Sequence, residues 1–413
     1  MKHLQARLRI LEGTLQDLCL NIGERPTGSA NNRLAQEYIR HQFELQGYQV
    51  EVQEFECIDW HSSGTSLRMG DRQLQAYSAP YSLPCDLNTP FQLLGNINQL
   101  NGAELRGKIA VLHGDLTREA LMPKNFRFWN PEEHQRIIRL LEEKQPAAVI
   151  TVSKGDVNQT PIPIIEDGDF NIPCAMLSEE SARPLFDQPS TTLALKIGSM
   201  RTPTKAANVI ARSQAAGAPE NNKRKKIVLS AHLDTKPGTP GALDDASGVA
   251  ALLLLGELLK YKRDQIALEF VCFNGEDHYS NAGEVTYLDR NKNLSKEILF
   301  NINIDGVGYK YGKMGLSYHT CPTWLVSRCE HLLQGDQRIE VIEPWPQGDH
   351  MLFVMNHVPA ITFTSIEAMP LVDKIIHTDK DTLELLDLTS ILGVVEFIFQ
   401  LVIQAGKVGL LDK

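Results

Sequence analysis

His232 and Asp234 follow the apolar run Ile227-Val228-Leu229, and Asp244 and Asp245 precede an apolar segment of helical length that starts at Val249. One imidazole and three carboxylates thus gather in a polar loop with Gly238, Pro240 and Gly241, between a strand of the doubly buried kind and a helix. Ligands of open α/β sheets bind at such strand ends. The pattern recurs downstream. Glu276 and Asp277 come a short turn after IALEFVCF (266–273), Asp305 ends ILFNINID (298–305), and His377 lies between PAITFTS (359–365) and the last helical segment. If these strands run parallel, all of these groups point to one rim. Two imidazoles and at least four carboxylates, with no cysteine among them, suit zinc or a similar divalent ion in a hydrolytic site, and two ions would need one bridging carboxylate. Taken singly, each residue is an ordinary polar loop group or a helix N-cap, as Asp244 and Asp245 before a helix illustrate. Repetition at successive strand ends is what sets the group apart.

The elements that must carry these groups follow a regular rhythm from Asn208 onward. Strand segments NVIARS, IVLSAHLD, IALEFVCF, ILFNINID and PAITFTS alternate with helical segments at 247–262, 282–291, 321–334 and 388–404. That spacing predicts an α/β fold with a mostly parallel central sheet covered on both faces. Ahead of it, the first 21 residues read as an amphipathic helix, 31–47 as a second helix ended by Gly47, and 48–57 as a strand with one exposed face. Between Trp60 and Met200 the texture changes to frequent Gly, Ser, Pro and Asn. Short strands are expected there at 108–114, 147–153 and 172–178, with a single helix at 131–145. His134 falls on the charged face of that helix, where solvation is expected. A chain of 413 residues exceeds the usual limit of one hydrophobic core. Two domains are therefore expected: a discontinuous one of residues 1–57 and 203–413, and an inserted, smaller β-rich one at 60–200.

A formal net charge of −10 argues against nucleic acid or an anionic membrane surface as the main partner. The basic run Lys223–Lys226 reads as a solvated loop. The N-terminal segment lacks the uninterrupted apolar core of a signal peptide, and no apolar run stands out as long enough to span a bilayer. The seven cysteines form no CxxC pair, and several sit in apolar runs, as buried free thiols of a reducing, cytoplasmic protein would. Asn158-Gln-Thr matches the glycosylation pattern but carries no weight without an export signal. Neither GxSxG nor HExxH occurs, and Gly306–Lys313 misses P-loop spacing.

The ordered set HLD, LDDASG, NGED, NIDG and IHTDKDT resembles the co-catalytic zinc aminopeptidases, a metallopeptidase family that also includes glutamate carboxypeptidase, glutaminyl cyclase and the transferrin receptor ectodomain. The segment RPTGSANNRLAQEYIRHQFELQGYQVEVQEF resembles that family's opening helices and first strand, and GDHMLFVMNHVPAITF its later segment in which an Asp-His pair precedes a helix and a strand. Residues 60–200 resemble, more loosely, a protease-associated domain, through ELRGKIAVLHG and KQPAAVITV.

Carried over residue by residue, the resemblance implies a three-layer α/β/α fold around a mixed sheet. It implies His232, Asp244 and Asp305 as ligands of one zinc ion and Asp244, Asp277 and His377 as ligands of a second, with Asp244 bridging. Glu276 takes the general-base position and Asp234 orients His232 from behind. The family also has a cis peptide between the paired aspartates, here Asp244-Asp245. Asp277 stands where family members commonly have Glu, so a single-ion site is an open alternative.

The activity so implied is release of N-terminal residues from a peptide substrate by metal-activated water. Three other readings compete: an acyl transferase of glutaminyl cyclase type with one zinc, a carboxypeptidase, and a non-catalytic, receptor-like binding module. The complete five-ligand set argues against the first and third. A carboxypeptidase needs cationic residues for the terminal carboxylate. The motif segments offer no Arg, only Lys236, Lys310, Lys313, Lys374 and Lys380, which read as solvated. Glu276, Asp245 and Glu367 are the acidic groups expected to receive a substrate ammonium.

Overall fold

The computed structural model describes residues 2–154, 160–187, 192–215, 225–335, 338–367 and 369–407, so Asn158 and Lys223 lie outside the described residues. The chain forms two compact units, Met1–Cys57 with Lys205–Lys413, and Ile58–Thr204.

In the larger unit the strand Lys226–His232 pairs in parallel with Leu268–Phe273 on one side and with Ile298–Ile304 on the other. Ile298–Ile304 pairs in parallel with Ala360–Ser365. Two strands that sequence periodicity did not reveal extend that side: Met314–His319, antiparallel to Ala360–Ser365, and the short Ile339–Val341. At the other side Leu268–Phe273 runs antiparallel to the end of Thr192–Arg212. The sheet is mixed and mostly parallel, and its strands Lys226–His232, Leu268–Phe273 and Ala360–Ser365 are buried along their whole length.

Period-two alternation assigns their side chains to two cores. Ile227, Leu229, Ala231, Leu268, Phe270 and Cys272 face one, shared with the helices Lys2–Gln16, Ala30–Leu45, Ser247–Leu259 and Leu388–Lys407. Val228, Val271 and Phe273 face the other, with Tyr287 and Phe353. The last helix corrects one expectation, because Leu388–Gly406 is long and apolar enough to cross a membrane. Here its Ile391, Val395, Ile398 and Val402 are core residues, and its Glu396 meets Arg7 at 2.9 Å.

The smaller unit is richer in helix than its composition suggested. Its parallel strands Cys85–Leu94, Ile109–Leu112, Ala148–Ser153 and Cys174–Ser178 pair in that order. Besides Glu132–Lys144, the unit contains the helices Ile97–Gly102 and Glu179–Asp187. The first is too short to show a period and depends on Asn96, whose side chain accepts from the N–H groups of Asn98 and Gln99. The second carries Pro184, which reads as a helix breaker from sequence. His134 is buried rather than solvated: its Nδ1 accepts from the Met122 N–H at 3.1 Å.

Two further expectations change. Lys226, read as part of a solvated basic run, is buried and donates to Glu269 Oε2 at 2.9 Å, alongside Arg212 at 2.5 Å, while Tyr287 donates to Oε1 at 2.6 Å. A fully buried carboxylate requires that company. Trp60 and Met200 bound the Gly-, Ser-, Pro- and Asn-rich stretch read as a separate domain, yet each lies inside a long strand, Gln49–Met69 and Thr192–Arg212. A protease must extract an extended segment from its pairing, so hydrogen-bonded strands resist it. Arg201 donates to Gly168 O at 2.7 Å and Phe170 O at 2.7 Å; Arg127 is itself exposed and lies outside helix and strand. Limited trypsinolysis is expected to cleave after Arg127 before it cleaves after Arg201; mass spectrometry of the first fragments decides the order.

Candidate metal centre

Parallel pairing brings the C-terminal ends of three strands side by side, with Phe273 in register with His232. Asp305 follows Ile304 directly, and the turn Asn274–Asp277 follows Phe273. The structure brings together all five sequence-derived ligand candidates. His232 Nε2 is 2.8 Å from Asp244 Oδ1 and 3.9 Å from Asp305 Oδ1, and His377 Nε2 is 3.0 Å from Asp244 Oδ2 and 3.5 Å from Asp277 Oδ1. Asp244 therefore has one carboxylate oxygen toward each imidazole. The ligand atoms of His232, Asp244 and Asp277 all lie within 4.8 Å of one another, as do those of His232, Asp245 and Asp305. The His377 and Asp305 side chains are 32% and 27% exposed and Asp277 only 3%, so the cluster opens to solvent on the His377–Asp305 side. Glu276 is half-buried beside it.

Charge at this rim is lopsided. Burial and the charge of Asp244 push Asp277 up to about 7, and burial with Asp244 pushes Asp305 up to about 6. Burial and its carboxylate neighbours hold Glu276 and Asp245 well above the usual carboxylate range. Burial would lower His377, but Asp277 and Asp244 outweigh it and raise the imidazole to about 9. Asp244 is held low by His232 and His377 against the cost of burial. The cluster therefore stabilises any cation placed in it. His232 Nδ1, Asp234 Oδ1 and Asp245 Oδ2 are buried without a hydrogen-bond partner, and so are both oxygens of Asp349. A donor set of imidazole and carboxylate, with unsatisfied buried oxygens, fits zinc.

Asp234 does not ligate in this geometry. Its Oδ1 is 3.7 Å from His232 Nδ1, and its Oδ2 accepts from Thr27 Oγ1 at 2.9 Å and from the Asp277 N–H at 3.1 Å. It stands behind His232 and at the same time ties residue 277 in place. Asp245 is not available to a substrate ammonium, contrary to the sequence reading: it is fully buried, and its Oδ1 accepts from the Gly248 N–H at 2.8 Å and the Gly306 N–H at 3.3 Å. Gly248 is required there, because a β-carbon would meet Asp245 and the Ile304 carbonyl. The Asp244-Asp245 peptide is cis. Glu367 is exposed, and one of its oxygens accepts from the Lys313 N–H at 2.8 Å.

Four residues to which the sequence reading gave no part in the site help build it. Asp381, two residues past the His377–Asp379 triplet, accepts from the N–H groups of Leu243 at 2.7 Å and Asp244 at 3.0 Å, so the loop that delivers His377 also fixes the backbone of Asp244. Lys236 is not simply solvated: its Nζ donates to the Asp277 carbonyl at 2.8 Å. Asp349, of the Asp-His pair, is buried near Glu284 and Glu276, whose charges together with burial raise it strongly. Arg25 is fully buried and donates to five carbonyls, those of Leu233, Leu18, Gly23, Pro240 and Gly241. The pairing of Arg25 with Gly241 was invisible because the two are over two hundred residues apart. At Gly241, φ is +62°, and a β-carbon would meet Thr235 and the Asp244 carbonyl.

Residues 208–402 match the sequence model of Peptidase family M28. Aminopeptidase YwaD of Bacillus subtilis (strain 168) is 27% identical over 313 residues, covering 74% of this chain and 63% of the length of that relative. Among solved structures, the aminopeptidase from Aneurinibacillus sp. strain AM-1 superposes with a TM-score of 0.76 at 23% identity, covering 96% of this chain and 93% of that one. BSAP, a zinc aminopeptidase from Bacillus subtilis, gives 0.75 at 21% identity over 96% and 94%. These structural likenesses show the fold.

Replacing Arg25 with Met would remove a donor from five carbonyls and leave those of Leu233, Gly23 and Pro240 without it, since Leu18 O keeps the Gly23 N–H and Gly241 O the Ala246 N–H; each such loss costs on the order of 1 kcal/mol or more. Arg25→Met is expected to lower unfolding free energy by at least ~3 kcal/mol, read as a fall in denaturant midpoint at unchanged slope.

Proposed function

Because residues 208–402 match the sequence model of peptidase family M28, we propose that this chain is a zinc-dependent aminopeptidase that hydrolyses peptides from a free N-terminus. The observation that carries this reading is Asp244, whose two oxygens lie 2.8 Å and 3.0 Å from two different imidazoles, with Asp277, Asp305 and Glu276 around them. Relatives of similar sequence and fold that are themselves named aminopeptidases support it.

In this reading His232, Asp244 and Asp305 hold one ion, and Asp244, Asp277 and His377 the other. The chemistry the ions supply is Lewis acidity: polarisation of the scissile carbonyl and a lowered pKa for the attacking water. Glu276, held half-buried and well above the usual carboxylate range by burial and its carboxylate neighbours, accepts the water's proton at a carboxylate oxygen and passes it to the leaving amine. Asp234 faces His232 Nδ1 and sets which ring nitrogen faces the cluster. Two buried or half-buried cationic groups near the cluster are already engaged, Arg25 by five carbonyls and Lys236 by Asp277 O. Negative charge dominates the cluster, which favours a substrate ammonium over a substrate carboxylate.

One peptide presented with a free or acetylated N-terminus, and again with a free or amidated C-terminus, tests the direction of cleavage. We expect the acetylated form to be refused and amidation to be tolerated, with activity abolished by chelator dialysis and restored by zinc. Equal kcat/KM for the acetylated peptide with a sharp loss on amidation would reassign the protein as a carboxypeptidase, and activity after verified metal removal would end the metallopeptidase reading.

Glu276→Gln keeps the size of the side chain but cannot accept the proton. A fall in kcat of ~10²- to 10⁴-fold is expected at unchanged zinc content; wild-type turnover in this variant would show that another group is the base.

A further inference from the structure

The two candidate metal positions are built from similar donors, and an ammonium group stands beside one of them. Lys236 leaves the loop after His232-Leu233-Asp234 in a turn closed by the Thr239 N–H donating to the Lys236 carbonyl at 3.2 Å. Its Nζ donates to the Asp277 carbonyl at 2.8 Å and stands 3.9 Å from Asp277 Oδ1, and its side chain is only 22% exposed. The ammonium thus lies beside a carboxylate that, in the reading above, ligates the second ion. That carboxylate has little freedom to move away. It sits on the short side chain of Asp, and its backbone is fastened on both sides, the N–H to Asp234 Oδ2 at 3.1 Å and the carbonyl to Lys236.

We propose that Lys236 makes the two positions unequal, weakening the one formed by Asp277 and His377 so that zinc fills the position formed by His232 and Asp305 first. The proposal rests on the metallopeptidase reading and assigns to one residue the order in which the ions bind. A unit positive charge near a divalent cation in a partly buried site repels it more strongly than water would allow. It also competes for the same carboxylate. The contact is with a donor particular to the second position: Lys236 Nζ stands 3.9 Å from Asp277 Oδ1, and Asp277 is not among the donors of the first position. The alternative is that Lys236 merely fastens the turn to residue 277.

Zinc titration of the chelator-dialysed, full-length protein in competition with a chromophoric chelator gives the stepwise dissociation constants without reference to activity. In wild type we expect two constants differing by at least about 30-fold. His377→Ala should remove the weaker step and Asp305→Asn the tighter one. Lys236→Met should tighten the weaker constant by about tenfold or more and leave the tighter within about threefold, while Lys236→Arg, which keeps the charge, should behave as wild type. A fastening role alone would lower the melting temperature of Lys236→Met and leave the gap between the constants intact. The proposal is overturned if the gap persists in a folded Lys236→Met, or if the tightened step is the one that Asp305→Asn removes. Should the Met variant not fold, two equal constants in wild type, or removal of the tighter step by His377→Ala, would overturn it equally. A wild-type protein that takes up no zinc would refute the metallopeptidase reading itself, a result distinct from two ions bound equally.

Discussion

Burying a carboxylate without a cation costs several kcal/mol, and this protein buries several at one end of one set of parallel strands. Its own positive groups there, the imidazoles of His232 and His377 and the ammonium of Lys236, do not balance Asp234, Asp244, Asp245, Asp277 and Asp305. The imbalance surfaces as raised carboxyl groups at Asp277, Asp305 and Glu276 and as buried oxygens without partners. A fold that tolerates such a cluster must hold its members against their mutual repulsion. Most of the surrounding structure can be read as the means of doing so.

Backbone groups carry much of that work. Asp245 accepts from the N–H groups of Gly248 and Gly306, and Asp381 accepts from those of Leu243 and Asp244. The aspartate loop is thus fixed from the helix side by its own second carboxylate and from the last loop by Asp381. Arg25 ties the other end of the loop, at Leu233, Pro240 and Gly241. With these three residues in place, Asp244 can present one oxygen to each imidazole.

What was legible in the sequence was whatever local rules govern. Apolar runs ending in His or Asp marked the central strands and the order of the site residues, because strands covered on both faces read as near-continuous apolar runs. Long-range pairing leaves no such mark. Lys226 belonged to a basic run by composition, but the buried carboxylate that claims it is Glu269, on the neighbouring strand. His134 looked solvated on a charged helix because the Met122 N–H it accepts from lies on another segment. Met314–His319 escaped notice because it is short and contains a glycine, and it is a strand only because Ala360–Ser365 offers it an edge. Trp60 and Met200 bounded a Gly- and Ser-rich stretch that read as a separate domain, yet each lies in a strand of 21 residues.

The segment that matches the family, 208–402, contains every candidate ligand, and yet it does not position them alone. Thr27 donates to Asp234 at 2.9 Å, and Asp234 in turn faces His232 and accepts from the N–H of Asp277. Asn32 exchanges two hydrogen bonds of 3.0 Å with Asn274, at the root of the turn that carries Glu276 and Asp277. Arg25 donates to the Leu233, Pro240 and Gly241 carbonyls of the 233–241 loop. Residues 25–32 thus touch the loop of His232 and the turn of Asp277 at once, and fix the distance between them. The short segment RPTGSANN acts as a template for the centre without contributing a ligand. It precedes the matched segment by nearly two hundred residues, separated from it by the whole of the smaller unit, so the geometry at Asp244 depends on the discontinuous core closing correctly around that insertion.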